Sequence, residues 1–186
     1  AGFYYKTFIF PRFAWKHILE PIIRKAAGLG AAPTEKDADK YEYFYAHVDV
    51  LIIGGGTSGL AAALEVGRSG AKVLVLEQKN TWGGRAPVDG VLIDNQISEE
   101  WIDDAITELQ SMPNVTLKNR TMGAGVYDHG WATGYESITD HMPGKKGPRQ
   151  RLWRIRAKRI LTTTGAIEGP LSFAGNDLPG VMLAGS

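Results

Sequence analysis

The residues best suited to chemistry lie in one short run, Gly54-Gly55-Gly56-Thr57-Ser58-Gly59, and in an acid further on, Glu77. The run follows Val48-Asp49-Val50-Leu51-Ile52-Ile53, whose β-branched residues read as a buried parallel strand, and it opens a small-residue helix, Gly59 to Arg68. Ser69-Gly70 closes that helix, and Lys72-Val73-Leu74-Val75-Leu76 reads as a second buried strand ending at Glu77. In this context each glycine has a distinct purpose. Gly54 allows a tight turn off the strand, Gly56 lets backbone approach a pyrophosphate, and Gly59 lets the helix lie close to the strand. The free amides of Thr57 and Ser58 and the positive end of the helix dipole suit phosphate. A carboxylate at Glu77 suits ribose hydroxyls and repels a 2′-phosphate.

The elements that position these residues form a strand–helix–strand unit with an expected right-handed crossover. The fold class expected is therefore α/β: a Rossmann-like FAD/NAD(P)-binding domain with a parallel sheet. Ser98 is expected to cap a helix whose Trp101, Ile102, Ala105, Ile106 and Leu109 share a face, and Val115-Thr116-Leu117 to add a third parallel strand. From Gly123 a β-meander is expected. It runs through Gly125-Val126-Tyr127, a turn at Asp128-His129-Gly130, and Trp131 to Tyr135, and a polar loop then leads into a strand from Arg151 to Thr164. Residues 1–47 read as a helical N-terminal segment and linker, and 48–186 as the dinucleotide-binding domain. Within the first part Trp15, Ile18, Leu19, Ile22, Ile23 and Ala26 have helical spacing, Pro21 predicts a kink or restart, and Gly28 and Gly30 act as stops. The stretch Ala31 to Tyr45 reads as a surface linker.

Two further sets of residues extend the candidate site. The pair Gly83-Gly84, followed by Arg85, resembles the Gly–Gly pair that many flavin enzymes bring to the cofactor's phosphates, which implies the same role here, with Arg85 adding charge-assisted bonds; a plain surface turn explains them equally well. The segment Ile160-Leu161-Thr162-Thr163-Thr164-Gly165, a strand emptying into a Thr-Gly turn, resembles the Ala-Thr-Gly segment of two-dinucleotide-binding-domain flavoproteins, and that resemblance implies Thr164 and Gly165 beside the nucleotide.

Composition narrows the remaining choices. The chain has 186 residues, a 44% hydrophobic content and a net charge of +1, ordinary for a globular protein and without a global pull toward polyanions. Having no cysteine, it can hold no disulfide, thiolate zinc site or cysteine-ligated cluster, which fits a cytoplasmic protein. No apolar run reaches the roughly 20 residues that span a bilayer. The histidines show no metal-ligand spacing, so no metal is expected, and the catalytic residues are unknown. Residues 145–159 are rich in Lys and Arg. Trp153, Ile155 and Ala157 alternate there with Arg154, Arg156 and Lys158, the mark of a half-buried strand or subunit contact rather than a nucleic-acid surface.

Several longer motifs carry a resemblance. Phe3-Tyr4-Tyr5-Lys6-Thr7-Phe8, Ala26-Ala27-Gly28-Leu29-Gly30, Tyr127-Asp128-His129-Gly130, the run Pro148 to Arg159, Phe173-Ala174-Gly175-Asn176-Asp177 and Pro179-Gly180-Val181-Met182 all resemble the alpha subunit of heterotetrameric sarcosine oxidase, a two-dinucleotide-binding-domain flavoprotein. The resemblance implies NAD at the glycine turn, with FAD as the alternative at the same site. It implies beta, gamma and delta partner subunits, and FMN or FAD on the beta subunit or at the alpha–beta interface. It implies oxidative demethylation of sarcosine, a small-molecule substrate, at a centre outside this chain. The family's alpha subunit is longer, so this chain is expected to be a portion of it. Thr163 stands where that family usually has Ala, and Gly169 where it usually has Arg. Two other readings remain open: an FAD-dependent amino-acid, opine or cyanide-forming dehydrogenase subunit, and a non-catalytic nucleotide-binding scaffold.

Overall fold

A computed structural model describes residues 10–28, 30 and 34–183. The motif at Phe3 to Phe8 and Leu29 lie outside them. The chain divides into two compact units, Ala1–Ala38 and Asp39–Ser186.

In the first unit, α1 (Arg12–Ala14) runs through a π-type turn at Trp15–Leu19 into α2 (Glu20–Ala26). Pro21 lies in the first turn of α2, where its missing N–H costs nothing. The Glu20 amide reaches back to the Trp15 carbonyl, so the helix widens just before the proline and restarts on it. Gly28, at φ +68°, ends the helix in the left-handed conformation that favours glycine.

The second unit is built on a six-stranded sheet ordered β5-β2-β1-β8-β7-β6. Its strands are β1 (Lys40–Ile53), β2 (Val73–Leu76), β5 (Val115–Lys118), β6 (Thr121–Tyr127), β7 (Trp131–Ser137) and β8 (Pro148–Thr162). The first four in that order pair in parallel, and β8-β7-β6 pair antiparallel as the expected meander. Alternate residues of β1 face opposite ways. Ile52 joins Leu60, Ala63, Leu64, Ile102, Ala105 and Leu109 under α3 (Thr57–Arg68) and α5 (Ser98–Ser111). Leu51 and Ile53 join Leu74, Leu76, Ala132, Ile155 and Ala157 on the other side.

The meander covers that second face closely. A Cβ on Gly134 would lie 3.1 Å from Leu76 Cδ1, and one on Gly123 only 2.5 Å from Ile53 Cγ2. Around the buried edge, Glu136 accepts the Trp153 indole N–H at 2.6 Å and an Arg151 N–H at 3.0 Å. Arg151 also pairs with Glu42 at 2.7 Å and lies over the Phe44 ring. These contacts are stronger than surface pairs because both Arg151 and Glu136 are largely withdrawn from water.

The structure differs from the sequence reading at β1, at the start of α5 and between Ala86 and Ile97. β1 starts at Lys40, so the last part of the stretch read as linker is strand, paired with β8 from Lys40 opposite Pro148. Its Tyr43 and Tyr45 are 61% exposed and take Arg154 over their rings, so no apolar run announces the strand. Ser98 does not cap α5. It is the first helical residue, fully buried, and its hydroxyl turns to Glu99 at 2.8 Å. A short helix, α4 (Ala86–Asp89), and a hairpin of β3 (Leu92–Ile93) and β4 (Gln96–Ile97) were not anticipated. The hairpin turns on Asp94 and Asn95, both with positive φ, the residue types that accept a primed turn.

Asp49, inside β1, ties that strand to the start of β2 and to β8. It accepts the Lys72 amide at 2.8 Å and pairs with Lys158 at 2.7 Å, which lowers its carboxyl below the ordinary 3.8, chiefly through Lys158. Glu108 is lowered below 4.5 by Arg68, which it meets at 2.6 and 2.8 Å across α3 and α5. A carboxylate with a lowered folded-state pKa stabilises above its ordinary value and loses that contribution as pH falls through the folded value. Chemical denaturation is therefore expected to give constant stability near neutrality and a decline below about pH 4. Asp49→Asn should flatten part of that decline, and an unchanged acid limb in this variant would contradict the assignment.

Candidate nucleotide-binding site

The glycine turn sits where β1 ends and α3 begins. Gly54, at φ +111°, donates its N–H to the Leu76 carbonyl at 2.8 Å, and a Cβ there would run into the Thr163 carbonyl. Gly55 donates to Glu77 Oε2 at 2.7 Å, and its carbonyl accepts the Gly83 N–H at 2.8 Å. Its own Cβ would strike the Trp82 ring. At Gly59 a Cβ would collide with the Gly54 carbonyl oxygen, so this glycine is what lets α3 approach the strand.

Gly56 is different. Its φ of −71° and ψ of 179° suit any residue, and the nearest protein atom to an added Cβ is Gly84 Cα at 3.9 Å. An added Cβ at Gly56 would therefore make only ordinary van der Waals contact, with Gly84, beside the start of α3. Gly56 is the N-cap of that helix and supplies no side chain, so the first-turn amides of Thr57, Ser58 and Gly59 have no side-chain cap. The first turn carries no acid either. Such an end is a site for an anion.

Glu77 closes one end of this cradle. It is 6% exposed, and its second oxygen accepts the Lys79 N–H at 2.8 Å. A carboxylate has about four acceptor positions, so two remain for hydroxyl donors. The other wall is Gly83-Gly84. Gly83 bridges Gly56 in parallel and Gly84 lies against it, both with positive φ. Arg85 follows, its guanidinium paired with Asp89 at 3.1 Å. Asp89 raises the Arg85 pKa above its ordinary value, with a smaller contribution from Glu168.

The structure thus gathers Gly54, Gly56, Thr57, Ser58, Gly59, Glu77, Gly83 and Gly84 about one cradle, with Arg85 next to it. Thr164 and Gly165 follow the point where β8 meets the turn, but both are exposed and nothing lies within 4 Å of a Cβ on Gly165. The residue of that segment that does touch the turn is Thr163. Its N–H donates to the Ile53 carbonyl at 2.8 Å and its hydroxyl reaches the Gly54 carbonyl at 2.8 Å. Sequence reading marked Thr163 only as an unusual residue and passed over Trp82; neither contact leaves a local pattern. Among the described residues no three His, Cys, Asp or Glu side chains are grouped to hold a metal ion, and no helix is long and apolar enough to cross a membrane.

The family model described as FAD dependent oxidoreductase matches residues 49–136, the span that contains the turn, Glu77 and the glycine pair. Along 100% of its length the chain is 47% identical to sarcosine oxidase subunit alpha of Rhizobium meliloti (strain 1021). Over its whole length the chain resembles the sarcosine oxidase alpha subunit. The corresponding subunit of Corynebacterium sp. (strain P-1) is 40% identical over 86% of the chain. The chain spans 19% and 17% of those two sarcosine oxidase subunits, so it corresponds to one dinucleotide-binding portion of the subunit. Among solved structures, L-proline dehydrogenase from P. horikoshii is 27% identical with a TM-score of 0.55, covering 79% of this chain and 28% of that one. The shared fold is that of an FAD-dependent oxidoreductase.

Proposed function

We propose that this chain grips the ADP half of a dinucleotide and serves as the nucleotide site of an amine-oxidising, sarcosine oxidase-type complex. The observation that carries the reading is the Glu77 carboxylate, bonded to the Gly55 amide at the edge of an uncapped helix start. In this reading the α3 amides of Thr57, Ser58 and Gly59 meet the pyrophosphate and Gly56 gives it room. The two remaining acceptor positions of Glu77 take the adenosine ribose. Gly83 and Gly84 line the phosphate path, Arg85 adds charge beside it, and Thr164 with Gly165 borders its outer side.

The dinucleotide is NAD in the reading that the resemblance implies. FAD is the second reading, supported by the match to FAD dependent oxidoreductases. Either group, when bound, supplies hydride-accepting chemistry, while the chain supplies binding and orientation. The complex would act on the CH–NH group of sarcosine with beta, gamma and delta subunits, its catalytic centre outside these residues. FMN or FAD would lie on a partner or at the interface.

The test is the nucleotide content of the purified chain, by absorbance and mass, followed by calorimetric titration with NAD and with FAD. A retained yellow chromophore identifies FAD, and a colourless chain that binds NAD identifies NAD. Glu77→Ala is expected to weaken the bound dinucleotide about 30-fold, the loss of charge-assisted bonds to the ribose and of the hold on Gly55. A wild-type chain that binds neither dinucleotide would end the assignment. Sarcosine turnover with and without the partner subunits separates an enzyme component from a structural nucleotide scaffold.

A further inference from the structure

We propose that Thr163 is a positioning residue for the dinucleotide: its hydroxyl holds one end of the Gly54–Gly55 peptide while Glu77 holds the other. The inference rests on the nucleotide-site reading and adds to it a residue from the far end of the unit.

A trans peptide is a rigid plane with its C=O and N–H pointing in opposite directions. In this plane the Gly54 carbonyl accepts the Thr163 hydroxyl at 2.8 Å and the Gly55 N–H donates to Glu77 Oε2 at 2.7 Å. The Thr163 hydroxyl also lies 3.1 Å from the Ile53 carbonyl, but that oxygen already receives the Thr163 amide at 2.8 Å. The single hydroxyl proton is therefore best used on Gly54. Fixing this plane fixes the direction in which the chain leaves β1, and with it the aim of the α3 amides.

Glycine at both Gly54 and Gly59 is a geometric condition of the contact. A Cβ on Gly54 would occupy the place of the Thr163 carbonyl, and a Cβ on Gly59 would lie 2.9 Å from the Thr163 hydroxyl. Bare backbone brings the end of β8 onto the turn. A side chain with only a methyl at position 163 would touch the turn without restraining it. The hydroxyl supplies the restraint, and it makes the carboxylate–amide geometry at Glu77 depend on a residue of β8's outgoing end.

Two substitutions separate this role from packing. Thr163→Val keeps the shape and removes the hydroxyl; Thr163→Ser keeps the hydroxyl and removes the methyl. With the full chain and NAD or FAD in a calorimeter, Val is expected to weaken binding about ten-fold, as for a lost hydrogen bond that leaves its acceptor unpaired, and Ser to stay within about two-fold of wild type. Without nucleotide, amide exchange at Gly55 should quicken in Val and not in Ser. Val binding as tightly as wild type, or Ser as weak as Val, would overturn the proposal while leaving the nucleotide site itself intact. A wild type that binds neither dinucleotide overturns the site reading and this role together. Unchanged Gly55 exchange in Val defeats the restraint by itself.

Discussion

Gly56→Val is expected to leave the protein folded and to cut dinucleotide affinity at least about 100-fold, close to 3 kcal/mol. The two halves of that result come from the same measurement of space. Gly56 has backbone angles open to any residue, and the nearest protein atom to an added Cβ is 3.9 Å away. The fold therefore has little reason to resist the substitution. What the valine does occupy is the volume in front of the first-turn amides of α3, where a pyrophosphate has to come close to bare backbone. Thermal unfolding near the wild-type midpoint together with lost binding in calorimetry is the expected pair of readings. Undiminished affinity would mean that no phosphate group uses this face of the turn.

Gly59→Ala is expected to do the reverse and damage the fold. Its Cβ would overlap the Gly54 carbonyl oxygen, and both partners are backbone, so no rotamer change relieves the clash. Overpacking of this kind costs about 3 kcal/mol or more when the elements must separate. For a chain of this size that lowers the midpoint by roughly 10 °C. Gly67→Ala in the same helix is the comparison. Its Cβ meets Met112 Sδ at 2.7 Å and Val115 Cγ2 at 2.9 Å, side-chain atoms that can give way, so its loss should be smaller. Equal midpoints for Gly59→Ala and wild type would show that α3 does not rest on the strand as described.

How far the sequence disclosed this structure depended on whether a signal was local. The strand at Val48–Ile53 and the one at Val73–Leu76 were legible because, Asp49 apart, every position is apolar or β-branched and the runs are largely buried. The glycines were legible because their spacing between a buried strand and a helix is itself a local pattern, and Glu77 because it ends a strand that must lie next to β1. Lys40–His47 failed as a strand signal. One of its faces is open to water, and Tyr43 and Tyr45 meet Arg154, more than a hundred positions away. The β3–β4 turn carries residue types of a primed turn in Asp94-Asn95, but strands of two residues leave no periodicity around it. Thr163 was beyond reach, since its value lies in a hydrogen bond spanning 109 positions to a carbonyl that no pattern marks.

The length of β8 has a bearing on how the protein comes into being. One strand of 15 residues runs beside β1 throughout, carries the meander on its other edge, and delivers Thr163 to the glycine turn. On a growing polypeptide the turn and Glu77 leave the ribosome before β8, and their surroundings are finished only by residues made about a hundred steps later. Until then β1 lacks its neighbour along one edge, and the apolar side opposite the helices waits for its cover. Maturation of the nucleotide cradle is thus a late event, gated by the arrival of a single long ribbon.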